Sequence, residues 1–258
     1  MIVTLKPSAD VARIKNQLIG LGLWIQTIGD RDGRAAFVVK ANSQPVNAED
    51  VSTLDGVEAV LTSPRPFPKV EAQVTPVKVG RHVIGPGADF QVFAGPCSVD
   101  SEDRTHRLAH ALAKAGATFL RGGAYKPRTS PYAFQGHGRV ALEWMKHAAK
   151  AAGLSVVTEC MSERAVEEVA EYADMVQVGS RNMQNYALLK SIGETGRPVM
   201  LKRGMAATVE EWMGAGEYLL VHGASGVVFC ERGVRSFDEA TRNLLDLGAV
   251  AHVAHAMK

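Results

Sequence analysis

Residues 154–203, LSVVTECMSERAVEEVAEYADMVQVGSRNMQNYALLKSIGETGRPVMLKR, decide the fold, because short apolar runs and amphipathic stretches alternate along them. Leu154–Val157, Met175–Val178 and Pro198–Leu201 are mostly apolar, with apolar residues at adjacent as well as alternate positions and hence on both faces of a strand, and helical stretches separate them. Strands buried on both faces and joined by helical crossovers make a parallel sheet. Working outward, the same alternation takes in Phe90–Ala94, Thr118–Leu120 and Gly226–Phe229, so six βα units follow one another. The helices carry matching punctuation. Ser101 precedes Glu102 and Asp103, an apolar stripe runs through Leu108, Ala111, Leu112 and Ala115, and Gly116 stops it. Thr208 with Glu211, and Ser236 with Glu239, read as capping boxes. The pattern leaves two architectures open, a doubly wound sheet and a closed barrel.

Upstream lies a unit of different rhythm, residues 1–62. A strand at Ile2–Leu5, a helix at Ser8–Ile19 stopped by Gly20, a hairpin of Leu23–Ile28 and Ala35–Val39 through Asp32-Gly33, a helix at Ala48–Leu54 and a strand at Val57–Leu61 spell βαββαβ. Residues 63–89 read as a linker and a short hairpin, Val77–Val79 with His82–Ile84. Pro64, Pro66, Pro68, Pro76 and Pro86 punctuate this stretch and put a domain boundary near Pro64–Pro68. Residues 90–258 form the second domain.

The 258 residues are 46% apolar and 22% charged, an ordinary globular composition that excludes disordered and fibrous classes. Asp10, Arg13 and Lys15 interrupt the first twenty residues, so no signal-peptide core is expected, nor a membrane span, and the address expected is cytoplasmic. Cys97, Cys160 and Cys230, odd in number and without a C-x-x-C pair, suit reduced thiols. A net charge of +2 is too balanced for a nucleic-acid binder unless the cations cluster.

They are expected to cluster at the strand ends, where parallel α/β folds bind ligands. Gly95-Pro96-Cys97-Ser98 follows the first strand, Arg121 and then Lys126-Pro127-Arg128-Thr129 the second, and Glu159 the third. Gly179-Ser180-Arg181 follows the fourth, Lys202-Arg203 the fifth and Glu231-Arg232 the sixth. Any single Arg has an ordinary alternative as a solvated charge. Six strand ends in register make coincidence hard to sustain, and two phosphates plus a carboxylate would explain the density. Lys202 either snorkels from the rim or contacts a reacting anion and donates a proton. Cys97 is either a small buried side chain or a thiolate ligand. His252 and His255, three apart on the last helix, read as a surface face.

Together, Ala94–Ser98, Leu120–Pro131, Gln177–Asn185, Leu201–Gly204 and Cys230–Gly233 resemble the motif set of the short bacterial and archaeal 3-deoxy-D-arabino-heptulosonate 7-phosphate (DAHP) synthases. Related synthases of 3-deoxy-octulosonate 8-phosphate carry Ala-Asn-Arg-Ser where this chain has Pro127-Arg128-Thr129. The resemblance implies a TIM-type (β/α)8 barrel, here with six units, and a ferredoxin-like N-terminal domain that binds an aromatic amino acid, Phe or Tyr, as feedback inhibitor. It implies the first step of the shikimate pathway, in which C3 of phosphoenolpyruvate attacks the aldehyde of erythrose 4-phosphate, water adds at C2 and phosphate leaves. Carried over by position, Arg121, Arg181, Lys202 and Arg232, with the backbone at Ser180, hold phosphoenolpyruvate. Lys126, Arg128 and Thr129 belong to the erythrose 4-phosphate site, and Glu159 is placed with the substrate-binding residues. Lys202 and Cys97 are the catalytic candidates. Cys97 is the candidate ligand of a divalent ion, Mn²⁺, Fe²⁺, Co²⁺ or Zn²⁺, that would polarise the aldehyde oxygen. Ser180 stands where the family commonly has Ala.

One departure bears on the expectation. In the family a Cys, a His, a Glu and an Asp hold the metal, the last three from a seventh and an eighth βα unit, and the sequence reaches Lys258 before either. With Cys97 alone, weak metal binding and impaired turnover are expected, together with unpaired edges on the first and sixth strands about 4.8 Å per missing strand apart. A homo-oligomer is the expected assembly. The sequence also admits two other readings, a non-catalytic binding or regulatory protein that keeps the phosphate clamps, and an octulosonate synthase.

Overall fold

In the computed structural model, residues 1–29, 35–40, 43–62, 66–238 and 240–257 are described. Contacts divide the chain into two units, Met1–Arg65 and Pro66–Lys258.

In the first unit β1 (Ile2–Leu5), α1 (Val11–Gly20), β2 (Ile25–Gly29), β3 (Ala35–Val39), α2 (Ala48–Ser52) and β4 (Val57–Leu61) form an antiparallel sheet of order β2-β3-β1-β4. Helix α1 starts later than Ser8 because the Asp10 carboxylate accepts from the Arg13 amide at 3.0 Å, which satisfies one of the free donors of the first turn. Its apolar face sends Ile14 and Leu18 into a core with Val3, Leu5 and Phe37. The turn expected at Asp32-Gly33 lies outside the described residues, as does Pro64.

The second unit opens with α3 (Pro68–Glu71) and the hairpin of β5 (Val77–Val79) and β6 (His82–Ile84). Six parallel strands follow: β7 (Phe93–Ala94), β8 (Phe119–Gly122), β9 (Ser155–Cys160), β10 (Met175–Val178), β11 (Val199–Lys202) and β12 (Val227–Cys230). They lie in sequence order and curl into a half-barrel, the TIM-like arrangement with six units. Helices α4 (Glu102–Lys114), α5 (Arg139–Ala152), α6 (Val166–Tyr172), α7 (Tyr186–Glu194), α8 (Val209–Val221) and α9 (Leu247–Ala256) each follow one strand. Ser101 caps α4, and the reciprocal Thr208–Glu211 box caps α8. Among the described residues no helix is long and apolar enough to cross a membrane.

Two layers of apolar side chains hold this unit. The helix-facing layer includes Leu120, Val156, Cys160, Val176, Val178, Val199, Leu201 and Val227, packed on Leu142, Met145, Leu188 and Trp212. The inward layer joins Phe119, Val157, Met175 and Met200 to Val77 and Val79 of the hairpin, with Phe93 and Val228 against it. Phe93 and Phe119 stack at 4.1 Å between ring centres. Burying each such side chain stabilises the fold by roughly 1.5–3 kcal/mol.

Several expectations need correction. The first strand is short, since Phe90 is 91% exposed and only Phe93 and Ala94 join the ladder. On α4 the inward face is Thr105, Ala109 and Leu112, while Ala111 and Ala115 are exposed. No helix begins at Ser236 among the described residues, and Glu239 lies outside them. Ser236 Oγ accepts from the Asp238 amide and Asp238 Oδ1 from the Ala240 amide, so short polar side chains cap turns there. Helix α9 begins eleven residues later, capped by Asp246.

Candidate active site

Alternate residues of a strand face the same side, so a polar residue two places after an inward apolar one shares its surface. Phe119 is followed in this way by Arg121, Val157 by Glu159, Met175 by Gln177, Met200 by Lys202 and Val228 by Cys230. The apolar members form the inward layer already described, and the polar members form a second layer nearer the carboxyl ends of the strands. Arg121, Glu159 and Lys202 were expected just past their strands. The ladder carries all three inside β8, β9 and β11, pairing Arg121 with Val157, Glu159 with Gln177 and Lys202 with Cys230. Reading strands as apolar runs ends them at the first polar residue, although backbone pairing continues.

Within this layer Gln177, 1% exposed, is a two-sided spacer. Its amide nitrogen donates to Glu159 Oε2 at 2.9 Å, and its oxygen accepts from Arg121 Nε at 3.3 Å. The Glu159 carboxylate reaches over β10, where a Cβ on Gly179 would stand 2.0 Å from Glu159 Oε1. Lys202 is held below the usual lysine range, first by burial and then by the Arg121 charge, with Arg232 adding to the fall and Cys230 and Glu159 opposing it. Arg121, Arg232 and Glu159 therefore share one field with Lys202. Arg232 donates from Nη1 to Asn243 Oδ1 at 2.8 Å, while its buried Nε donates to nothing among the described residues. A buried, unpaired guanidinium N–H is a donor suited to an anion.

At the neighbouring strand end, Lys126 Nζ donates to the Cys97 carbonyl and lies 3.2 Å from Cys97 Sγ. This contact, with the charges of Lys126, Arg121 and Arg128, pulls the exposed Cys97 thiol below its ordinary value. Gly123 makes the approach possible, since a Cβ there would meet the Cys97 carbonyl at 2.8 Å and Lys126 Nζ at 3.1 Å. The other thiols behave oppositely. Burial raises Cys230, and raises Cys160 to about 11.

Arg128 and Thr129 are exposed in the loop after β8, and Arg128 Nε donates to the Phe134 carbonyl at 3.3 Å. Ser180 and Arg181 open the 3-10 turn Ser180–Asn182 beyond β10, where Arg181 is exposed and makes no ion pair among the described residues. Arg203 departs from the expected cluster. Its side chain, 7% exposed, pairs with Glu231 at 3.2 Å and Asp246 at 2.8 Å, and its Nε donates to the Ala207 carbonyl at 3.0 Å. Period two explains this, because the residue after inward Lys202 turns outward. Gln177 joins the site without having been expected there, and Cys230, expected only as a reduced thiol, joins it too; the i, i+2 relation to Met175 and Val228 is the signal for both. His252 and His255 lie exposed on α9. Among the described residues no group of three or more His, Cys, Asp or Glu comes together to hold a metal ion. The donors present do not by themselves fit a divalent-metal site.

Residues 69–258 match the DAHP synthetase I family. A phospho-2-dehydro-3-deoxyheptonate aldolase of Thermotoga maritima is 40% identical over 257 residues, 97% of this chain and 75% of that protein. The crystal structure of the Thermotoga maritima DAHP synthase superposes with a TM-score of 0.70 at 38% identity, covering 98% of this chain and 75% of the other. A 2-dehydro-3-deoxyphosphooctonate aldolase of Nitratidesulfovibrio vulgaris is 31% identical over 149 residues, 55% of each.

Proposed function

The chain belongs to the DAHP synthetase I family, and we propose from that premise that the polar layer at the carboxyl ends of β8–β12 carries the family's reaction. That reaction joins phosphoenolpyruvate to erythrose 4-phosphate, giving DAHP and phosphate at the head of the shikimate pathway, and makes the protein a transferase of the 3-deoxy-7-phosphoheptulonate synthase class. The observation that supports this placement is the shared field of Arg121, Lys202 and Arg232 above an apolar floor. Three cations in a partly desolvated pocket suit the carboxylate and phosphate of phosphoenolpyruvate, and Ser180 and Arg181 at the adjoining strand end would complete its clamp. Glu159 acts through Gln177, fixing the plane of the Arg121 guanidinium. Lys202, held below the usual lysine range by burial and by the Arg121 charge, is suited to moving a proton at the reacting enol. Lys126, Arg128 and Thr129 then face the second phosphate.

The family generally depends on a divalent metal. Cys97 is this chain's proposed contribution to such a site, with Mn²⁺, Fe²⁺, Co²⁺ or Zn²⁺ as candidates. For the first unit, the antiparallel order β2-β3-β1-β4 supports a ferredoxin-like fold, with an aromatic amino acid as effector. A cytoplasmic homo-oligomer completes the proposal.

The test is phosphate release from phosphoenolpyruvate with erythrose 4-phosphate, alongside arabinose 5-phosphate, with each metal added in turn. Product from the four-carbon sugar is expected. Preference for the five-carbon sugar would move the assignment to the octulosonate synthases, and binding of phosphoenolpyruvate without turnover under every metal would leave a binding module.

A further inference from the structure

The loop that carries Lys126, Arg128 and Thr129 leaves β8 at Ala124 and ends at α5, and both its ends meet one carboxylate. At its start the Tyr125 hydroxyl donates to Glu168 Oε2 on α6. At its finish Arg139, the first residue of α5, has Nη1 3.6 Å from Glu168 Oε1. The same guanidinium donates to the Tyr172 hydroxyl at 2.9 Å and to Glu143 Oε1 at 3.2 Å, and lies 5.5 Å from the Tyr172 ring centre. The root of the loop is laced as well. The Lys126 amide donates to the Gln135 carbonyl at 2.9 Å, the Gly138 amide donates to the Ala124 carbonyl at 3.1 Å, and Tyr125 bridges Gly136. Successive side chains of an extended segment point to opposite sides. With Tyr125 turned out to α6, Lys126 is turned in, to within 3.2 Å of the Cys97 sulfur.

We propose that Tyr125, Glu168 and Arg139 form a clasp that positions the loop bearing Lys126 and Arg128, and so sets the affinity for the aldehyde phosphate. The inference rests on the assignment of those loop residues to the erythrose 4-phosphate site. Tyr125 and Glu168 are positioning residues, because Tyr125 packs against the helix-facing core and Glu168 belongs to the helical layer, away from the inward polar layer. The clasp ties the side chains at both ends of the loop, Tyr125 and Arg139, to one carboxylate, so loosening it frees the loop without disturbing the strands that hold Arg121 and Lys202.

The test uses the full chain with Tyr125→Phe, Glu168→Ala and Glu168→Gln, read by steady-state kinetics for each substrate and by hydrogen exchange of the Lys126 and Gly138 amides. Tyr125→Phe and Glu168→Ala are expected to raise KM for erythrose 4-phosphate about tenfold, with KM for phosphoenolpyruvate and kcat within about twofold, and to speed exchange at both amides. Glu168→Gln, whose amide oxygen still accepts from Tyr125, restores most of the affinity. Unchanged exchange in Tyr125→Phe overturns the clasp. So does faster exchange with an unmoved KM for the aldehyde, or an equal loss for both substrates. Failure of the unmutated chain to release phosphate overturns the reaction itself, and the exchange rates, which need no turnover, tell the two failures apart.

Discussion

The two inward layers of the half-barrel sit on the same strands two residues apart, and they have opposite chemistry. The lower one, Phe119, Val157, Met175 and Met200, is sealed by Val77 and Val79 of the hairpin. Arg121, Glu159, Gln177, Lys202 and Cys230 make the upper one, where polar side chains are partly buried and Lys202 is held against its charge. The lower layer is what a packed core selects. The upper layer stores cationic charge that packing alone would remove, and proteins keep such sites where a ligand needs them.

The sharpest way to break that contrast is Lys202→Met. Loss of its charge and proton is expected to lower kcat/KM for product formation by about 10²–10⁴ while the circular dichroism spectrum is unchanged. The same variant should be the more stable protein at neutral pH. Because the folded pKa lies below the ordinary value of 10.5, the unfolded chain binds the proton more tightly, so the penalty is full below the folded pKa and fades as pH rises through it toward 10.5. A stability gain that is flat with pH, or an activity loss under about tenfold, would separate Lys202 from the site. Its neighbour supplies the counter-case. Arg203→Met leaves Glu231, 4% exposed, without its cation, and is expected to cost about 3 kcal/mol in denaturant unfolding. Since Asp246, the cap of α9, loses the same partner, protease cleavage should begin near that helix.

Lys202 and Arg203 also mark how far the sequence could be read. The parallel sheet was legible because strand runs and helix caps obey independent rules, apolar runs buried on both faces and capping chemistry, and both pointed the same way at Met175–Val178 and at Thr208–Glu211. Residue order alone did not separate two adjacent cations that face opposite sides at the end of β11; the inward phase, set by Met200, does. Gln177 was missed because its spacing from Met175 places it inward, but an uncharged amide within an apolar run does not tell which charged groups it joins. The start of α9 was missed because Ser236 and Asp238 can cap a turn as well as a helix, and the choice falls to the tertiary pairing of Asp246 with Arg203.

A smaller effect separates the thiols. Cys97 lies below 9.0 beside Lys126, and Cys160 at about 11 in the core. With the larger thiolate fraction and an exposed position, Cys97 should be alkylated on the order of tenfold or more faster than Cys160 at neutral pH. Lys126→Met should slow Cys97 and leave Cys160 where it is. Equal rates for the three cysteines would remove the electropositive mouth from the description.

The smallest expected effect tests whether the upper layer is built or merely polar. In Gly179→Ala the new methyl would overlap Glu159 Oε1, 2.0 Å away, and the carboxylate must swing off β10. Gln177 would then lose its acceptor, and the amide that accepts from Arg121 Nε would lose its anchor. No cation is removed and the lower layer is untouched, so the fold should persist. Losing one charge-assisted bond at second remove should raise KM for phosphoenolpyruvate by about tenfold, with kcat little changed. Glu159→Gln in the same background separates the causes. If the carboxylate's position is what matters, the double variant loses no more than either single one, whereas additive losses would mean that Glu159 and Gly179 act on the substrate independently.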